Sequence, residues 1–268
     1  MKRIISASYK DDTPAFKSEE FFRDLRNGYT VVRSPYGDRR ISLRPEDVFC
    51  FVFWTKNPSD HFLQNMKLLR SPFYIQWTIT GYRKDIEPNV LEKFGPEGLL
   101  ERFKTVSRMV GPKRIVWRYD PIFISRTYTV QRHKETFEKM CATLQGYTHK
   151  CVISFMDEYG KIKDLVRSGV MRAPTPDEVN DLASFIGPTA KRYGITVQTC
   201  SEGGYDLTPY GIREAPCIDA EFIEREFGVS LPEAVKKPNS FRKCLCAVNT
   251  DIGNYHVCTH GCKYCYAN

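Results

Sequence analysis

Three cysteines close to the end of the chain carry the clearest chemical signal in the sequence. Cys258, Cys262 and Cys265 are spaced C-x3-C-x2-C. Three thiolates can hold a [4Fe–4S] cluster and leave its fourth iron open to a small molecule, whereas four cysteine ligands occupy every iron. The competing interpretation is a zinc site with His256 or His260 as a fourth ligand. The spacing favours the iron–sulfur cluster, because structural zinc prefers C-x2-C pairs.

The distribution of the other cysteines points to a second metal site. Of the ten cysteines, seven lie at or after residue 200. Once the terminal three are set aside, four thiols remain, enough for a closed site, and an iron–sulfur cluster is favoured there over zinc. These four are Cys200, Cys217, Cys244 and Cys246. The isolated Cys50, Cys141 and Cys151 lie in apolar runs and are predicted to be small buried hydrophobes.

Short β-rich runs alternate with amphipathic helices through the first 200 residues. Strands are predicted over 3–8, 48–55, 73–80, 114–119, 151–155 and 195–200. Helices are predicted over 14–27, 58–69, 96–110, 130–144, 175–194 and 219–227. This alternation predicts an α/β fold with parallel strands, a complete or partial (β/α) barrel, with a doubly wound open sheet as the alternative. The expected organisation is a barrel-like core over 1–200 and a cysteine-rich iron–sulfur segment over 201–268, loop-like from residue 240, that completes the same domain.

Polar side chains follow several predicted strands, where parallel barrels carry their working face. Lys56, Arg118 and Glu202 are candidates to anchor a zwitterionic ligand, because Arg pairs with carboxylates and Glu with an amine. Asp120 would orient Arg118 or contact a ribose. Lys56, Arg118 and Asp120 are therefore the candidate catalytic residues. The alternative is that such residues form internal salt bridges that only hold the fold.

Composition and charge limit the range of partners. The net charge is +8, but the Lys and Arg clusters are short and spread along the chain, which favours a solvated basic surface over a nucleic-acid stripe. The longest apolar run, residues 48–54, is too short to span a bilayer. The first residues turn polar too soon for a signal peptide. We therefore predict no membrane partner and a cytoplasmic location, where thiols stay reduced.

Several stretches resemble known families. Cys258, Cys262 and Cys265, with Tyr264 in the aromatic position, resemble the signature of radical S-adenosylmethionine enzymes. A wider resemblance, to domain-of-unknown-function family 1848, covers essentially the whole chain and supplies no substrate. It rests on residues 53–58, 117–122, 154–157, 244–246, 251–255 and 258–267.

The radical-enzyme resemblance implies cofactors and their contacts. It implies a [4Fe–4S] cluster, with a second one at the remaining cysteines, as well as S-adenosylmethionine, an electron donor and a substrate that the sequence does not identify. Tyr264, Glu202, Gly203 and Gly204 are the expected cofactor contacts, since residues 201–204 faintly resemble the glycine-rich segment that meets the methionine amino group in those enzymes.

The position of the three cysteines departs from the radical-enzyme pattern. Those enzymes carry them in the loop after the first barrel strand, whereas six predicted strands precede Cys258 here. A circularly permuted barrel would explain the difference, and the chain is expected to continue beyond Asn268. The predicted function is cleavage of S-adenosylmethionine followed by hydrogen abstraction from a substrate. The alternatives are a non-catalytic iron–sulfur or zinc protein and a nucleic-acid repair or modification factor.

Overall fold

The computed structural model describes residues 2–33, 37–158, 160–200, 202, 204–238 and 244–267. The strands are β1 Arg3–Ala7, β2 Tyr29–Val32, β3 Arg39–Ser42, β4 Val48–Thr55, β5 Phe73–Thr78, β6 Ile115–Ile122, β7 Lys150–Phe155, β8 Thr196–Thr199, β9 Arg213–Glu214 and β10 Asn249–Asp251. The α-helices are α1 Thr13–Phe16, α2 Ser18–Asn27, α3 Asp60–Asn65, α4 Leu99–Val110, α5 Val130–Leu144, α6 Lys163–Arg167, α7 Pro176–Arg192, α8 Ala220–Phe227 and α9 Glu233–Lys236.

The fold is α/β with parallel strands and intervening helices, of the partial (β/α) barrel type, which confirms the predicted fold class. Strands β2 and β3 form a separate antiparallel hairpin. The chain divides into two compact units. The first comprises 1–77, 216–259 and 267–268, and the second comprises 78–215 and 260–266. The division predicted at residue 200 stays a prediction.

In the first unit the strand order is β10-β1-β4-β5, and every neighbouring pair is parallel. Strand β4 has the predicted bounds and is buried along nearly its whole length, as expected of a strand covered on both faces. Its Phe51 and Phe53 pack edge-on against Phe21 of α2 at ring-centroid distances of 5.7 and 5.3 Å. This aromatic packing fixes α2 against the sheet.

In the second unit the strand order is β6-β7-β8-β9, again all parallel. Helix α5 has the predicted bounds and packs on the sheet through Phe137, whose ring stacks on Trp117 of β6 at 5.0 Å. Helix α7 begins with a capping box, in which the side chains of Thr175 and Glu178 each accept a hydrogen bond from the other's backbone N–H. Pro188 lies inside α7, and the helix ends at Arg192.

Two local predictions need correction. The helix predicted over 14–27 is interrupted at Lys17, which separates α1 from α2. The N-cap of α1 is Asp12, because the Asp12 carboxylate accepts the Ala15 N–H at 3.1 Å, and the neighbouring Thr13 hydroxyl donates to Asp11 at 2.6 Å.

The C-terminal segment is also not entirely loop-like, because it contains β10, which pairs in parallel with β1. A three-residue polar strand has no hydrophobic period of its own, so only its pairing partner reveals it. The last strand among the described residues therefore lies beside the first. Among the described residues, no helix combines the length and apolar character needed to cross a bilayer.

Candidate metal centre

Two cysteine side chains of the first unit have the spacing of metal ligands. The Sγ atoms of Cys217 and Cys246 lie within 4.8 Å of each other. Cys217 precedes α8 and Cys246 precedes β10, so residues far apart in the chain meet here. These are two of the four thiols that the sequence analysis assigned to a second site, and they can supply two thiolate ligands to a metal ion. Cys200 follows β8 in the second unit, and its membership in the site stays a prediction.

Backbone pairing holds Cys217 and Cys246 in place. The Ala247 N–H donates to the Ile218 carbonyl at 2.9 Å, which brings together the segments that carry the two cysteines. The Ile218 N–H donates to the Cys246 Sγ at 3.4 Å. This hydrogen bond fixes the position of the Cys246 sulfur relative to the Cys217 segment.

Two polar side chains of β5 fix the backbone at Cys217. The Tyr74 hydroxyl and the Gln76 side-chain amide both donate to the Cys217 carbonyl, at 2.8 and 2.7 Å. Both side chains are fully or almost fully buried. They restrain the backbone behind the cysteine and so define where its sulfur lies, as outer-shell partners of metal ligands do. Sequence reasoning missed both, although a single glutamine in the apolar run of β5 was an available signal.

The spacing of this pair suits one ion better than a cubane cluster. A tetrahedral zinc binds sulfur at about 2.3 Å, which places its ligand sulfurs about 3.8 Å apart. A cubane spreads its cysteine sulfurs more widely, because each sulfur binds a different iron. The separation of the Cys217 and Cys246 sulfurs therefore favours zinc or a single iron. Cys244 is half-buried, and its predicted membership stays a prediction.

The terminal cysteines are half-buried and reduced. Cys262 and Cys265 lie on one turn, closed by a hydrogen bond from the Cys265 N–H to the Cys262 carbonyl at 3.0 Å. Gly261 enters this turn with φ +69°, a conformation that side-chain-bearing residues rarely adopt. The Lys263 N–H donates to the Ile86 carbonyl at 3.0 Å, so the turn is tied to its own unit through the backbone.

Tyr264, the predicted cofactor contact, is buried and donates its hydroxyl to the carboxylate of Glu87. Glu87 is itself buried, accepts the Thr80 hydroxyl at 2.9 Å and pairs with Lys93 at 2.8 Å. Burial and the Glu87 charge raise the pKa of Tyr264 well above its usual value, so it stays a neutral donor. This buried hydrogen bond therefore anchors the turn that carries Tyr264 in the interior of the second unit.

The segment before Cys258 is fixed by Asp251, the last residue of β10. Its carboxylate accepts the Ser6 and Ser8 hydroxyls at 2.9 and 2.8 Å. It also accepts the backbone N–H groups of Tyr9 and Gly253 at 3.1 and 3.0 Å. A Cβ on Gly253 would lie 1.9 Å from the Ser8 Oγ, so this close approach requires glycine. Asp251 thus joins the ends of β1 and β10 just ahead of the cysteine loop.

The isolated cysteines behave as predicted from their apolar surroundings. Cys50, Cys141 and Cys151 have no solvent-exposed surface. Burial is the main cause that raises the pKa of the Cys141 and Cys151 thiols above their usual value. These two are therefore neutral thiols packed in the core, unlike the half-buried cysteines of the terminal motif.

Three of the predicted rim residues lie in the second unit. Arg118 is buried and holds Asp120 through two of its nitrogens, one at 3.2 Å, so Asp120 orients the guanidinium. Glu202 accepts the Phe155 N–H at 2.9 Å. Burial, followed by the nearby charges of Asp157 and Asp120, raises the pKa of Glu202 to about 7. Glu202 is thus only partly ionised at neutral pH.

The remaining predicted contacts are less informative. Lys56 is half-buried in the first unit. Its backbone N–H donates to the Asp12 carboxylate at 2.7 Å, and its backbone carbonyl accepts the Trp77 indole N–H at 2.9 Å. Gly204 is exposed, with no heavy atom within 4 Å of the place a Cβ would take. Gly203 lies outside the described residues. The assignment of all these residues to catalysis or cofactor binding stays a prediction.

Comparison with known proteins adds a family but no activity. One solved structure that the comparison matches to this chain is the carboxyl transferase domain of Rhizobium etli pyruvate carboxylase, at 10% identity and a TM-score of 0.29. The match covers 82% of this chain and 40% of that one. No curated protein matches the sequence. The family model described as a domain of unknown function, DUF1848, matches residues 4–267, and the chain therefore belongs to that family.

Proposed function

We propose that the protein is an iron–sulfur enzyme of the radical S-adenosylmethionine type, with a second thiolate metal site. In this proposal Cys258, Cys262 and Cys265 hold a [4Fe–4S] cluster with one open iron. Cys200, Cys217 and Cys246 hold the second metal. The protein would take S-adenosylmethionine, electrons from a donor and a substrate of unassigned class.

The observation that carries the proposal is the state of the three terminal cysteines. All three are half-buried, whereas the isolated cysteines of the core are fully buried. Partial exposure leaves a thiolate accessible to an incoming cluster, whereas an isolated thiol buried in the apolar core is inert. The turn at Cys262 and Cys265 supports the same role, since it presents two ligands from one short, tied segment. The donor set therefore fits a three-cysteine cluster.

When bound, such a cluster supplies the electron that cleaves the carbon–sulfur bond of S-adenosylmethionine. The protein's own groups would bind and orient the cofactor. Glu202 can accept the amino group of the methionine moiety, since a carboxyl with a pKa of about 7 gains a favourable ion pair when an ammonium approaches. Arg118, oriented by Asp120, supplies a fixed cationic fork for a carboxylate. Tyr264 holds the cysteine turn in position through Glu87.

The test is anaerobic reconstitution with iron and sulfide, followed by addition of S-adenosylmethionine and a reductant. We expect 5′-deoxyadenosine to form, and a change in the EPR signal of the cluster when the cofactor is added. Cys262→Ala should abolish both. Cys141→Ala is the matched control, because it removes a buried thiol outside either site. A fully loaded cluster with no cleavage and no response of its EPR signal to the cofactor would refute the enzymatic proposal.

A second candidate function is a non-catalytic thiolate metal protein, which the approach of the Cys217 and Cys246 sulfurs to within 4.8 Å specifically favours. Such a spacing fits a structural ion, which stabilises a fold by linking distant segments. Metal analysis of the purified protein separates the two candidates. Zinc at one equivalent, lost in Cys246→Ala and retained in Cys262→Ala, with no iron bound after reconstitution, would support the non-catalytic function alone.

A further inference from the structure

The second unit contains a cavity of about 310 Å³ that neither cysteine site uses. One wall is the chain after β5, at Gly81 and Arg83, with the segment that precedes α4, at Lys93 and Phe94. Its volume lies at the lower end of the range for small-molecule pockets, which suits a compact ligand.

The opposite wall is a single face of α5. Arg132, Glu135, Thr136 and Lys139 follow one another at helical spacings of three, four and seven residues, so they lie on the same side of the helix. Thr136 is buried and forms part of the wall, while Arg132 and Lys139 are exposed at its edge. The helix therefore presents two cations toward one cavity, from a rigid element.

Charge in the cavity favours an anion. Four cations line it, Arg83, Lys93, Arg132 and Lys139, against two carboxylates. Lys93 is neutralised by the buried Glu87 at 2.8 Å, which leaves three cations and two carboxylates. The cavity thus keeps a net positive charge, and two of its three remaining cations are arginines.

The two arginines are available for a ligand. Across the described ranges, no ion pair engages the guanidinium group of Arg83 or Arg132, one on each wall. An arginine fork matches the oxygen geometry of a phosphate through paired hydrogen bonds. Lys139 is held over the ring of Phe94 at 4.1 Å, which positions its ammonium group at the same cavity.

We propose that this cavity binds a small molecule that carries a phosphate group, with Arg83 and Arg132 as the phosphate ligands. The two carboxylates at the rim, Glu92 and Glu135, are acceptors for hydroxyl groups on the rest of the ligand. A sugar phosphate and a nucleotide share this chemistry. The proposal does not depend on the iron–sulfur function, because none of the lining residues is a predicted cluster or cofactor contact.

The test is isothermal titration calorimetry of the purified full chain with AMP, ribose 5-phosphate, inorganic phosphate and adenosine. We expect saturable binding of at least one phosphate compound and weaker or no binding of adenosine, which lacks the phosphate. Ribose 5-phosphate separates recognition of a sugar phosphate from recognition of a complete nucleotide. Arg83→Gln and Arg132→Gln should each weaken binding by about tenfold or more, since each removes a charge-assisted contact.

Three further variants make the result decisive. Arg126→Gln removes an exposed arginine of the same unit outside the cavity and should bind as the parent does. Arg132→Lys keeps the charge but loses the fork, so its affinity should fall between those of the parent and Arg132→Gln. Cys262→Ala should bind normally, which keeps this test independent of the cluster. Equal affinity of the parent, Arg83→Gln and Arg132→Gln, equal binding of adenosine and AMP, or no binding at millimolar ligand would overturn the proposal.

Discussion

Replacing Asp251 tests whether this one carboxylate joins the end of β1 to the end of β10. The side chain accepts two hydroxyls and two backbone N–H groups at 2.8 to 3.1 Å. Asp251→Ala removes the acceptor for all four donors. The serine hydroxyls can rotate toward other acceptors, but the N–H groups of Tyr9 and Gly253 cannot. The Gly253 N–H is buried and the Tyr9 N–H is partly buried. A buried N–H without an acceptor costs about 1–3 kcal/mol, and the partly buried one costs less, so we expect a loss of about 2–5 kcal/mol.

A loss of this size is a large part of the stability of an ordinary domain, which is about 5–15 kcal/mol. Urea unfolding monitored by tryptophan fluorescence and far-UV circular dichroism measures it directly. Asp251→Asn retains one carbonyl acceptor and should lose about half as much as Asp251→Ala. Because Cys258 follows on the same segment, we also expect Asp251→Ala to retain less iron after reconstitution.

The matched control is Asp206→Ala. Asp206 also accepts two hydrogen bonds, from the N–H and hydroxyl of Thr208, but it is exposed, so water replaces the lost acceptor. We expect this variant to unfold close to the parent. If Asp251→Ala were no less stable than Asp206→Ala, the assignment of Asp251 as the link between the two strands would be wrong.

Two further predictions concern pH. Burial lowers the pKa of His133 to about 4, and its ring bonds the Tyr119 hydroxyl at 2.9 Å and the Phe123 carbonyl at 2.8 Å. Because the unfolded chain binds the proton more readily, stability on the order of 3 kcal/mol should be lost as pH falls from about 6.5 to 4. In His133→Gln the unfolding free energy should fall less steeply over this pH range. In the control His149→Gln, which replaces an exposed histidine, the pH dependence should match that of the parent. Hydrogen bonds from Arg172 lower the pKa of Glu178 to about 2, so its contribution is present above about pH 4.5 and lost as pH falls toward 2. Water and salt screen the Arg172–Glu178 ion pair, so Glu178→Gln should change the unfolding free energy by less than about 1 kcal/mol. This difference should disappear near pH 2. An equal difference between parent and variant at pH 2 and pH 7 would contradict the prediction.

Much of the fold could be predicted because its signals are local. Strand β4 and helix α5 have the predicted bounds, since each carries an unbroken apolar run or a clear helical period. The capping box of α7 also has a local signal, because Thr175 and Glu178 are three residues apart in the sequence. The break at Lys17 and the strand β10 were not, because neither has a local pattern: α2 is set by aromatic packing on β4, and β10 by pairing with β1.

In the candidate site, too, features with a local sequence signal could be predicted and features set by tertiary contacts could not. The sequence by itself predicted that the terminal C-x3-C-x2-C cysteines form a ligand set and that Cys50, Cys141 and Cys151 are small buried hydrophobes, because spacing and apolar context are local properties. Only the tertiary structure decided that Cys217 and Cys246 meet within 4.8 Å, since their spacing in the chain specifies nothing. It also decided the roles of Gln76, Asp251 and Glu87, whose partners are remote in sequence. A buried polar side chain is recognisable only when the chain has folded and the group that satisfies it lies beside it.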